Sequence, residues 1–78
     1  MNLPATAPLE VTTPGVRVTS LASGRWRVTN RSGALLGYLE AAPAGGFEAM
    51  RFSVRERGFR ALGEFRTATD AADALRFS

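Results

Sequence analysis

Cysteine, histidine and lysine are absent from this 78-residue chain. Each absence removes a class of chemistry. Without cysteine there is no disulfide framework and no thiolate nucleophile, and without histidine there is no imidazole base. The usual zinc ligand sets go with them. Lacking lysine, the chain has neither a Schiff-base amine nor the lysine of a phosphate-binding loop. Long apolar runs are missing as well. The most apolar window, Ala34 to Leu39, is far shorter than the roughly 20 residues a membrane helix needs. The first residues, Met1-Asn2-Leu3-Pro4-Ala5-Thr6-Ala7-Pro8, have neither a basic start nor a continuous apolar stretch, so no secretory signal is expected. These features predict a cytoplasmic protein that does not engage a membrane, needs no cofactor or metal, and is not an enzyme.

The basic side of the charge balance is entirely arginine, ten residues against seven acidic ones, for a net charge of +3. Guanidinium forks suit phosphate and guanine recognition. GC-rich coding gives the same bias and also explains the abundance of alanine, which binds nothing. Hydrophobic content of 45% places the chain among globular domains, and its length allows one.

Three of four prolines (Pro4, Pro8, Pro14) precede Gly15, which predicts a flexible Pro-rich arm over residues 1–15 and a single small α+β domain over 16–78. From Val16 onward, runs of strand length alternate with turn residues: Ser23-Gly24, Ser32-Gly33, Pro43-Ala44-Gly45-Gly46 and Arg57-Gly58. The pattern predicts an antiparallel meander of four to five strands. After Phe65 it changes. Thr67 can cap a helix, Asp70 sits three residues on, and Ala68, Ala71, Ala72 and Leu75 share one helical face. Ten residues hold no helix in isolation, so one C-terminal helix is expected to pack on one face of the sheet.

If Arg57-Gly58 forms a two-residue loop, Val54 opposes Ala61, Phe52 opposes Gly63 and Met50 opposes Phe65, making one apolar face. Arg51 then meets Glu64 and Arg55 meets Arg60. Burial of the apolar set favours this register. For the preceding hairpin two registers remain open. One places Trp26 over Gly37, with Leu35 and Leu39 on the same face. The other pairs Trp26 with Tyr38 and Val28 with Leu36. Trp26, Tyr38 and the phenylalanines are expected mainly in the core, since so small a domain needs its large side chains inside.

The candidate site is a sheet face carrying Arg25, Arg27, Arg51, Arg55, Arg57 and Arg60. Directly opposed Arg55 and Arg60 would repel in water, a local cost an anionic partner could relieve. The passage Leu62-Gly63-Glu64-Phe65-Arg66-Thr67, running into Ala71-Ala72, resembles the strand-to-helix passage of two sheet-plus-helix DNA-binding modules. These are the plant ethylene-response-factor domain and the arm-type domain of tyrosine recombinases. The resemblance covers residues 47–76. It implies a three-stranded sheet entering the major groove, with Arg51, Arg55, Arg60 and Arg27 as contacts and the helix behind. The helix here is shorter than in those families, and the arginine spacing differs from theirs. The expectation is therefore a non-enzymatic binding module for nucleic acid or another anionic partner. The alternative is a protein–protein or self-association module, in which an exposed edge strand forms a homodimer by strand addition.

Overall fold

The computed structural model describes residues 11–21 and 24–77. Five strands, β1 (Val16–Ser20), β2 (Arg25–Asn30), β3 (Leu35–Ala41), β4 (Phe47–Ser53) and β5 (Gly58–Phe65), are followed by helix α1 (Ala68–Phe77). The strands form one antiparallel sheet in chain order, with β3 central and β1 and β5 at the edges. This is the expected α+β meander with one C-terminal helix on one face.

The helix begins where the sequence indicated: the Asp70 amide donates to Thr67 Oγ1 at 3.1 Å, satisfying one of the first-turn donors. Its face of Ala68, Ala71, Ala72 and Leu75 is buried. Small side chains let it lie low over Trp26, Val28, Leu39 and Ala49, and Phe47 packs edge-on against Trp26 at 5.7 Å between ring centres. Gly37 makes the close approach possible. A Cβ there would meet the Met50 carbonyl and lie 2.9 Å from Leu75 Cδ2.

Two β-bulges decide which side chains share a face. On β3, Val28 pairs with Gly37 and Thr29 with Leu35, leaving Leu36 as the extra residue. Beyond it Trp26 pairs with Leu39 and Arg27 with Tyr38. Trp26, Val28, Gly37 and Leu39 therefore share the helix-facing side, as in the first of the two open registers shifted by one pair, except that the bulge puts Leu35, opposite Thr29, on the other side. On β5, Ala49 pairs with Gly63 and Met50 with Ala61, which makes Leu62 the extra residue. Gly63, at φ +129°, takes the unusual backbone conformation beside the bulge.

The expected β4–β5 register does not occur. The connection is a four-residue turn over 54–57, closed by the Arg57 amide donating to the Val54 carbonyl at 3.2 Å, with Arg57 itself at φ +56°. Phe52 faces Phe59, Arg51 faces Arg60 and Glu48 faces Glu64. The bulge at Leu62 then switches the alternation. Phe59 and Ala61 lie on the side away from the helix, while Gly63 and Phe65 lie beneath it. A strand read as uniformly alternating conceals such a switch.

The β2–β3 turn is built by one side chain. Asn30 Oδ1 accepts from the Ser32 amide (3.0 Å), Ser32 Oγ (2.8 Å) and the Ala34 amide (2.9 Å), and Gly33 supplies φ +91°. Asn30→Ala leaves these donors to water alone, with an expected loss of about 1 kcal/mol in chemical denaturation. Asn30→Asp, which keeps the acceptor, is expected to lose less.

Of the expected arm, residues 1–10 lie outside the described residues. Residues 11–15 belong to the packed body: Val11 touches the core, and buried Thr13 donates from Oγ1 to Asp73 Oδ1 at 2.6 Å. α1 offers this segment a hydrogen-bonding partner that alternation along the chain does not reveal.

Candidate functional site

The six arginines singled out from the sequence do not share one face. Arg25 and Arg27 project from β2 on the open side of the sheet, away from α1. Arg51 and Arg60 oppose each other on the helix side, and Arg55 and Arg57 lie in the β4–β5 turn. Arg25 is engaged within the sheet: its Nε donates to Glu40 Oε2 at 2.8 Å, and its guanidinium lies 5.2 Å from the Tyr38 ring centre. Arg51 reaches the C-terminal end of α1, where its Nη1 donates to the Leu75 carbonyl at 3.1 Å. That carbonyl is one the helix cannot satisfy internally, and the guanidinium also opposes the negative end of the helix dipole.

A different grouping emerges along the strand direction. In an antiparallel meander the second and fourth turns lie at one end. Here these are residues 31–34 and 54–57, and β1 also starts there. Helix α1 ends there too, since a cleft of about 500 Å³ is lined by Gly15, Asn30, Arg31, Ser32, Leu36 and Arg76. This end and the adjoining first residues of the strands carry Arg17, Arg31, Arg55, Arg57, Arg60 and Arg76, all exposed. Glu56 is the acidic residue among them. None of the six has an ion-pair partner among the described residues; the pair that does form, Arg25–Glu40 at 2.7 Å, lies toward the opposite end. Glu40, Glu48 and Glu64 line up across β3, β4 and β5 in that opposite half, and Asp70 begins the helix there. Arg25 and Arg66 lie at that end as well, so the molecule is strongly basic at one end of its strands and only weakly acidic at the other.

Sequence reasoning had marked Arg55, Arg57 and Arg60 but not Arg17, Arg31 or Arg76. A signal was present: once a meander is assumed, alternate turns must meet at one end, and Arg31 and Arg57 occupy alternate turns. The open side of β3–β5 carries no arginine. Its residues are Leu35, Tyr38, Glu40, Glu48, Met50, Phe52, Phe59, Ala61 and Glu64. Tyr38 and Phe52 each contact Phe59, at 5.1 and 5.4 Å between ring centres, so these three aromatic rings cluster outside the core.

Among the described residues no group of three or more acidic side chains is placed to hold a metal ion. No helix there is long and apolar enough to cross a membrane. No protein-family model matches the chain, and no curated protein or solved structure matches it either.

Proposed function

We propose that this domain is a non-enzymatic module that binds nucleic acid by gripping phosphates with its basic end. The observation that carries the reading is the placement of six exposed arginines, none with an ion-pair partner among the described residues, at the end formed by the β2–β3 and β4–β5 turns and the last turn of α1. Exposed guanidinium groups spread over one end of the sheet each carry +1, and a row of phosphates neutralises that charge while accepting paired hydrogen bonds. The difference in charge along the strands orients the encounter, because a polyanion is attracted far more strongly to one end than to the other. Arg25 and Arg51 serve the fold in this reading, and Arg27 contributes only long-range attraction.

The sheet-plus-helix modules that residues 47–76 resemble meet DNA through the sheet face. For this chain the contacts are assigned instead to the strand ends and turns, where the arginines are. Recognition of that kind follows the backbone rather than base edges, so little sequence preference is expected.

A fluorescence-anisotropy titration of a labelled duplex at several salt concentrations tests the reading. With four or more phosphates neutralised, affinity is expected to fall roughly 100-fold between 50 and 200 mM salt. Absence of binding at 50 mM, or binding indifferent to salt, overturns it.

A further inference from the structure

Within the basic end, one place is shaped to hold a single group rather than to lie along a backbone. It is the cleft bounded by the segment before β1, the β2–β3 turn and the last turn of α1. Arg31 and Arg76 border it, and no carboxylate does. Arg76 is already held in position. Its guanidinium lies across Gly15, where a Cβ would stand 3.9 Å from Cζ, and 4.9 Å from the Phe77 ring centre. A guanidinium lodged in this way loses little further freedom when it meets an anion. The negative end of α1 would oppose an anion here, but Arg51 occupies the Leu75 carbonyl.

Asn30 adds a third donor. Its Oδ1 accepts from the backbone amides of Ser32 and Ala34, which can only donate, so the oxygen is fixed toward the turn. Nδ2 therefore points away from the turn, and it has no hydrogen-bond partner among the described residues. Leu36, the extra residue of the β3 bulge, is half-buried against the core and gives the cleft one apolar wall.

We infer that this cleft takes the terminal phosphate monoester of a nucleic-acid strand. The inference deepens the phosphate-binding reading and rests on it. Charge and oxygen count select the end of a strand over its interior. Near neutral pH a phosphate monoester carries a charge of about −1.5 to −2 and presents three unesterified oxygens. An internal phosphodiester carries a single charge and presents two. Two guanidinium forks and one amide match the first set, and would be left with surplus donors by the second. At about 500 Å³ the cleft is larger than a phosphate group, so the adjoining sugar enters too and rests against Leu36. Arg17, Arg55, Arg57 and Arg60 lie outside the cleft and are left to follow internal phosphates.

Fluorescence anisotropy of the intact chain with short labelled duplexes of one sequence tests the assignment. One duplex ends in hydroxyls, and others carry a phosphate on one 5′ end or one 3′ end. A control ends in hydroxyls but has one extra nucleotide, and so the same number of phosphates as the phosphorylated forms. A terminal phosphate at one of the two ends is expected to tighten binding roughly tenfold over that control. Arg31→Gln with Arg76→Gln, both exposed positions, is expected to abolish the preference. Asn30→Asp keeps the acceptor of the turn but loses the Nδ2 donors, and is expected to abolish it as well. Arg55→Gln with Arg57→Gln is expected to weaken all the duplexes alike and leave their ratio intact. Equal binding of every duplex overturns this assignment while leaving the phosphate-binding reading standing; no binding by any of them overturns both. A preference that survives Arg31→Gln with Arg76→Gln also overturns it. So does a nucleoside monophosphate that competes as tightly as the phosphorylated duplex binds, since the ligand is then the free nucleotide and not a strand end.

Discussion

Changing Arg31, Arg55, Arg57 and Arg60 together to glutamine is expected to weaken binding to a DNA duplex at 50 mM salt by roughly 100-fold and to flatten the salt dependence by about 0.9 in log–log slope per residue. All four are exposed and make no ion pair among the described residues, so their removal costs the fold little. Circular dichroism and the unfolding midpoint should be nearly unchanged. The contrasting pair is Arg25→Gln with Arg27→Gln. Those residues lie on the open face of β2, and Arg25 is tied to Glu40. Their loss is expected to change affinity by no more than about threefold and the slope by less than one. If that pair weakens binding as much as the quadruple variant does, the contact surface is the sheet face and not its end.

The second large effect concerns stability. Gly37→Ala is expected to destabilise the domain by about 3 kcal/mol, a large share of what a chain of this size commands. A methyl group there would collide with the Met50 carbonyl, which belongs to the adjacent strand's backbone and cannot swing aside. It would also press on Leu75 Cδ2, 2.9 Å away. Leu75 is fully buried, so it has no open space to move into. Relief requires β3 and β4 to separate or α1 to lift, and either loosens the contacts of Leu39 and Val28 beneath it. Gly58→Ala is the control. A Cβ at Gly58 meets nothing nearer than the Glu56 carbonyl at 4.0 Å, and the change is expected to shift stability by less than about 1 kcal/mol. Urea denaturation of the two variants, monitored by Trp26 fluorescence, compares them directly.

Gly37 also shows how a residue can be legible in one sense and opaque in another. Its place in a strand beside Leu36 and Tyr38 was evident, but the reason for glycine there comes from a helix about 30 residues later in the chain. The same holds for Arg51. Its spacing in the strand suggested an outward, ligand-facing side chain, whereas the structure uses it to satisfy the Leu75 carbonyl. Tyr38, Phe52 and Phe59 were expected in the core with the other aromatics. The helix face is short and built largely of alanine, and Trp26, Phe47, Leu39 and Leu75 already fill the space beneath it.

Sequence alone determined the order of elements, the capping of α1 by Thr67, its buried stripe, and the meander. Each of these follows from interactions over a few residues: turn chemistry, a capping hydroxyl, and alternation of period two or 3.6. Tertiary structure alone decided which side chains share a surface. One extra residue on a strand, Leu36 or Leu62, inverts the inward and outward sense of everything beyond it. Neighbouring chain segments choose where that residue goes, because the ladder of hydrogen bonds and the overlying helix must be satisfied together. Gathering the arginines at one end is likewise a consequence of topology, since antiparallel strands bring alternate turns together however far apart they stand along the chain.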